Sequence, residues 1–154
     1  MEEKNLIWHY TSVNHLKNIL LSATLETSRF EKKFGLKKPS LWFSLNQEWE
    51  PTATKDVVNG LGKRISLTKE KQHELMGLAR IGILKTSSLI TWAKYKHVCG
   101  LALSVTNNME EHGINLGSDP KDWFCSFVNV PKRLWMSVQK WDGTEWQDVE
   151  FDVE

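Results

Sequence analysis

Asp142-Gly143 separates two stretches, residues 134–140 and 145–153, in which apolar and polar residues alternate. Asp-Gly supplies the positive φ angles of a tight turn without steric cost, and period-two flanks give each arm one face to bury. The C-terminal part of the chain therefore reads as an antiparallel hairpin. A two-residue turn pairs Lys140 with Glu145 and Gln139 with Trp146, and sets Val149, Phe151 and Val153 on one face. Residues 124–128 alternate in the same way, so the hairpin has a sheet to join.

Upstream, the period changes. Residues 5–10 are rich in β-formers and run into Thr11-Ser12, either of which can N-cap a helix with Val13, Leu16, Ile19 and Leu20 at helical spacing. A short strand is expected at 25–28, a charged loop at 31–40 and an apolar strand at 41–45. Pro51 is placed to open a helix within 46–55. Asn59-Gly60 and Gly62 mark a turn. A strand at 63–67, a helix at 68–78 capped by Thr68 and a strand at 80–85 follow. Residues 98–111 read as one helix, with Gly113 where a left-handed cap belongs. No repeat or linker divides the sequence, so residues 1–154 are expected to form a single α+β domain.

Composition narrows the function classes. No apolar run approaches the roughly 20 residues of a membrane span. The start, Met1-Glu2-Glu3-Lys4, is too acidic for a leader, so a cytoplasmic protein without membrane contact is expected. Cys99 and Cys125 have no CxxC or zinc spacing, and His73, His97 and His112 lack a second ligand at i+3 or i+4, so no metal is expected. The formal charge of +1 argues for no global field. Its distribution is uneven: residues 1–38 carry seven bases, among them Lys32, Lys33, Lys37 and Lys38, against four acids, whereas Glu145, Asp148, Glu150, Asp152 and Glu154 close the chain without a base. Eight tryptophans supply rings that pack a core or line a cleft where flat ligands stack.

Two clusters carry candidate chemistry. Trp8-His9-Tyr10-Thr11-Ser12 lies where a strand enters a helix, so an imidazole is held beside hydroxyls and a helix N-terminus, a corner suited to ribose or phosphate. Leu41-Trp42-Phe43-Ser44-Leu45-Asn46, followed by Trp49-Glu50-Pro51-Thr52-Ala53, forms an aromatic strand end on which a heteroaromatic ring could stack. There is no phosphate-binding glycine loop, since Gly60-Leu61-Gly62-Lys63 has neither fingerprint.

Together these clusters resemble the ADP-ribosyltransferase superfamily, in the His-Tyr-Glu branch that includes poly-ADP-ribose polymerases, diphtheria-like toxins, rifampicin-modifying enzymes and DarT toxins. Phe124-Cys125-Ser126-Phe127-Val128-Asn129-Val130-Pro131 and the hairpin after it look like the corresponding late strand and Val-Pro element of DarT-like members. The resemblance covers residues 5–60 and 120–151. It implies a split antiparallel β core with flanking helices and a C-terminal hairpin. It also implies NAD as substrate and no metal.

By the same resemblance His9 would meet an NAD ribose and the Tyr10 backbone the nicotinamide carboxamide, with Thr11 and Ser12 beside them. Trp42 or Phe43 would stack on nicotinamide, with Ser44 adjacent, in place of the usual Tyr. Where the family has Glu, this chain has Lys121-Asp122-Trp123, which makes Asp122 the nearest carboxylate and Glu50 the alternative acid. A carboxylate is needed there because breaking the nicotinamide-ribose bond builds positive charge on the ribose.

The implied activity is mono-ADP-ribosylation of a macromolecule. The four lysines and the tryptophans favour DNA or RNA over protein as acceptor. By analogy such a transferase fits a toxin or phage-conflict effector, with an antitoxin or host protein as partner. The competing expectation is a noncatalytic module on the same fold that binds a ligand or partner through its tryptophans. A related RNA phosphotransferase would need several arginines around its cleft, and the chain has four in all.

Overall fold

The computed structural model describes residues 5–28, 39–86 and 88–152. Strand β1 (Ile7–Thr11) feeds helix α1 (Val13–Ser22) through Ser12, whose hydroxyl accepts from the His15 N–H at 3.1 Å. Leu16 is buried, and Val13, Ile19 and Leu20 pack against the core, as their spacing requires. Ala23, in the left-handed region at φ 57°, ends the helix by donating its N–H to the Ile19 carbonyl. Strand β2 (Thr24–Leu25) then pairs with β9 (Val130–Pro131).

The main sheet is antiparallel and mixed with helices, an α+β architecture. Its seven strands run in the order β11-β10-β6-β1-β3-β8-β7: β11 (Trp146–Asp148), β10 (Trp135–Trp141), β6 (Ala79–Ile83), β1, β3 (Leu41–Ser44), β8 (Trp123–Ser126) and β7 (Ile90–Thr91). All five positions of β6 are buried, which makes it the interior strand of its half. One face of the sheet packs Ile7, Phe43, Ile81, Phe124 and Val138 against α1. A small hairpin of β4 (Asp56–Val58) and β5 (Arg64–Ser66) stands apart, and α2 (Lys69–Met76) follows it under the expected Thr68 cap.

The sheet is two paired units joined by one weak seam. β1 pairs with β6 over five residues, and β3 with β8 over four. Between β1 and β3, Trp8–Ser44 is the single pair among the described residues. Beyond it the two strands diverge.

Several sequence expectations are corrected. The 142–145 loop holds four residues, so Trp141 pairs with Trp146 and Lys140 with Gln147, a shift of two from the expected register. The cause is the Asp142 side chain, which accepts from the Thr144 and Glu145 amides and widens the turn. The shift is even, so each residue keeps its face. The helix expected at 46–55 is one 3-10 turn, Pro51–Ala53. Of the helix expected at 98–111, residues 103–111 lie in α4 (Leu103–Asn115), Val98 ends a separate helix, α3 (Trp92–Val98), and Gly100 at φ +79° lies between the two. The strand expected at 25–28 is confined to β2 and an isolated bridge between Ser28 and Ser40. Val153 and Lys32, Lys33, Lys37 and Lys38 lie outside the described residues.

Gly113 is not a cap. It sits inside α4 where a Cβ would meet the Trp123 ring at 2.4 Å, and the positive φ falls at Gly117 instead. Gly113→Ala would gain about 1 kcal/mol of helix propensity but force a buried indole aside. A net destabilisation of about 1–3 kcal/mol is expected by urea unfolding. Gly60→Ala, with open space around it, should change stability by less than about 0.5 kcal/mol.

Candidate functional site

Where β1 and β3 part, the residues that would have closed the sheet line a cavity of about 610 Å³. Its walls come from β1 and β3, from α1 through His15, Asn18 and Ile19, from the Pro51–Ala53 turn, and from α4 through Met109 and His112. The volume lies inside the roughly 300–1,000 Å³ typical of small-molecule sites.

His9 bridges the seam. Its Nδ1 lies 2.8 Å from the Trp42 carbonyl, and a carbonyl only accepts, so the ring carries its proton on Nδ1. Burial, followed by electrostatic contributions from Lys55 and His15, lowers its pKa to about 4 against the accepting Trp42 carbonyl. The imidazole is thus neutral at pH 7, with Nε2 as a lone-pair acceptor. Phe43 meets the ring edge-on, centroids 5.8 Å apart, and fixes its plane.

Glu50 forms a second anchor. Glu50 is 6% exposed and lines the cavity, yet no Lys, Arg or His among the described residues stands within ion-pair distance of its carboxylate. Five neutral donors hold it. Ser44 Oγ at 2.9 Å and Trp123 Nε1 at 3.2 Å donate to Oε1, and Thr52 N–H at 3.1 Å, Thr52 Oγ1 at 2.7 Å and Ser118 Oγ donate to Oε2. These come from β3, the 3-10 turn, the loop after α4 and β8, so one side chain ties four segments at the cavity wall.

The aromatic wall is built by mutual packing. Trp42 is half-buried, set edge-on to Tyr95 at 4.6 Å and tilted on Trp92 at 5.9 Å. Trp92 in turn packs perpendicular to Trp123 at 5.1 Å. The Trp92 indole N–H and the Lys96 ammonium both bind Glu110, which pins α3 to α4.

On the opposite face of β1, Arg80 braces the turn that carries Glu50. Its guanidinium lies 3.8 Å from the centre of the Trp8 ring and 4.3 Å from that of Trp146, and donates to Gln139, Tyr10 and the Gln47 carbonyl. Tyr10 O–H donates to the Asn46 carbonyl, and Trp8 Nε1 to Gln47 Oε1. Burial pushes the Tyr10 phenol up to about 12, so it stays a donor.

The cavity thus gathers His9, Thr11, Trp42, Phe43, Ser44 and Glu50, and it meets Tyr10 although that side chain packs on the other face against Trp49. It does not gather Asp122 or Ser12. Ser12 is occupied as the α1 cap. Asp122 ends the 3-10 turn Pro120–Asp122, and the buried Trp123 after it is the residue that reaches Glu50. Among the described residues the carboxylates that line the cavity are Glu50, the alternative acid, and Glu26, and Asp122 is not among them. Burial and the charges of Asp119 and Glu50 raise the Asp122 pKa.

Sequence patterns alone do not single out Trp92, Ser118, Lys55 or Arg80. Only Trp92 had a local signal, a Thr91 cap followed by apolar Trp92, Tyr95 and Cys99 at helical spacing. The others act through contacts distant along the chain. Among the described residues no helix is long and apolar enough to cross a membrane, and no cluster of three or more His, Cys, Asp or Glu could hold a metal.

Two outcomes follow from this geometry. The folded His9 value lies below the unfolded value near 6.5, so the unfolded chain binds the proton more readily and stability falls as pH drops from about 6.5 toward 4. NMR of the imidazole should show a midpoint near 4, and the decline in urea midpoint between pH 6.5 and 5 should flatten in His9→Gln; a midpoint near 6.5 contradicts the buried, neutral ring. Glu50→Gln turns an amide NH2 toward donors that need an acceptor, with an expected loss of about 2–4 kcal/mol in urea unfolding. No protein-family model, curated protein or solved structure matches the chain.

Proposed function

We propose that the protein is an NAD-dependent mono-ADP-ribosyltransferase. The observation that carries this reading is the cavity at the β1–β3 seam, where His9, Trp42, Ser44 and Glu50 meet from three separate stretches of sequence. A sheet that opens between these strands is what a split ADP-ribosyltransferase-like core would give.

The chemistry of the walls suits this substrate. Nicotinamide in NAD is a flat cationic ring. Trp42, Trp92 and Trp123 offer aromatic faces and edges, and Glu50 adds a negative charge without a competing cation. His9 Nε2, the free acceptor of a neutral ring, takes a hydrogen bond from a ribose hydroxyl and fixes the sugar. In the transfer, the bond from ribose C1′ to nicotinamide nitrogen breaks, and nicotinamide leaves with the electron pair. Positive charge grows on the ribose, and Glu50 stabilises it.

Both Glu50 oxygens already accept from five donors, more than the roughly four lone-pair sites of a carboxylate. Glu50 therefore acts as a fixed charge and not as a proton acceptor. The acceptor atom bonds to C1′ and its proton passes to solvent. The acceptor is a macromolecule, with nucleic acid ahead of protein on the strength of Lys32, Lys33, Lys37 and Lys38. An effector used in conflict between cells and phages fits such an activity.

Incubation with NAD labelled in the adenylate, with nicotinamide release and label on DNA, RNA and protein scored separately, tests the reading. Wild type should release nicotinamide and label one macromolecular fraction. His9→Ala should slow release about 100-fold or more. Asp122→Ala should turn over NAD as wild type does. NAD binding without any release would favour the noncatalytic module, and equal turnover by His9→Ala would overturn the proposed site.

A further inference from the structure

Lys55 is the one lysine or arginine among the described residues that lines the cavity. Its backbone is fixed from both sides: the amide donates to Gln72 Oε1 at 2.6 Å, and the carbonyl accepts from the Leu67 N–H at 3.0 Å. Gln72 is fully buried in α2, so this position is set by the core and not by the loop it belongs to. The side chain is half-buried, and its ammonium makes no hydrogen bond or ion pair with any described residue.

Two features make this a charge that awaits a partner. The cavity's acids do not neutralise it: Glu26 and Glu50 both line the space, but neither comes within ion-pair distance, and Glu50 is occupied by neutral donors. The ammonium is also close enough to His9 for its field to disfavour a second positive charge there. With His9 neutral, Lys55 is the cation of this wall at pH 7. Burial penalises the bare ammonium and lowers its pKa, and an anion delivered by a ligand would remove that penalty.

We propose that Lys55 is an anion-recognition residue, and that the group it binds is a phosphate oxygen of the ligand. Resting on the transferase reading, this is the diphosphate of the dinucleotide. The cavity is then polarised, with aromatic rings and Glu50 for the cationic end of the substrate and Lys55 for its anionic middle.

Calorimetric titration of wild type, Lys55→Met and Lys55→Arg with NAD, ADP-ribose, nicotinamide and inorganic pyrophosphate tests this. Methionine keeps the apolar stem and length, and circular dichroism confirms that the variant folds. A charge-assisted hydrogen bond to phosphate corresponds to a loss of about 10- to 100-fold in affinity when removed.

Lys55→Met should lose that much for NAD, ADP-ribose and pyrophosphate and nothing for nicotinamide. Lys55→Arg should regain part of the loss, and the fall in affinity with added salt should be shallower in Lys55→Met. Equal affinity of wild type and Lys55→Met for NAD and pyrophosphate overturns the proposal. Pyrophosphate binding that depends on Lys55, with no binding of NAD or ADP-ribose, keeps the anion site and removes the dinucleotide reading. Wild type that binds none of the four removes both.

Discussion

Among the described residues Trp8–Ser44 is the single ladder pair between the two halves of the sheet, side-chain bonds such as His9 to the Trp42 carbonyl supply the rest of the seam, and the cavity lies where the ladder stops. Had β1 and β3 continued their ladder, backbone groups would have filled the space now lined by His9 and Trp42. The unmade ladder leaves polar groups that must find partners. The Trp42 carbonyl finds His9 Nδ1, and so the imidazole is fixed in tautomer and plane by the same interruption that opens the cavity.

An interrupted sheet needs bracing elsewhere, and the tryptophans supply it. Trp8, Trp49, Trp141 and Trp146 gather in one cluster, of which Trp8 also borders the cavity, and Arg80 sits between two of the rings and holds the turn through Gln47. Trp42, Trp92 and Trp123 form the aromatic wall. Trp135 fills the main core with its N–H on the Val130 carbonyl. The high tryptophan content is thus largely structural reinforcement, and four of the rings, Trp8, Trp42, Trp92 and Trp123, also border the cavity.

Local patterns carried the fold where one segment decides its own structure. The junction from β1 to α1 was legible because the hydrophobic period changes from two to helical at Ser12, a capping residue. The C-terminal hairpin was legible in kind but not in register, because the extra bonds of the Asp142 side chain outweighed the two-residue turn that Asp-Gly favours. The helix expected at 98–111 starts too early because Gly100, at positive φ, breaks the chain between α3 and α4, while Gly113, which looks like a stop, is a packing contact for Trp123. The site was legible in His9, Trp42, Ser44 and Glu50, each beside a strand end. The choice between Glu50 and Asp122 was not, because it depends on donors from Ser118 and Trp123, distant in sequence.

The most direct measurement of the central claim is a two-dimensional NMR titration of the protein with NAD. The largest shifts should fall on the His9 ring, the Trp42 indole and the amides near Ser44 and Glu50, while the Trp141 and Trp146 indoles, on the braced face, stay in place. Shifts confined to the Trp141–Trp146 face, or none at saturating NAD, would contradict a ligand site at the parting of β1 and β3.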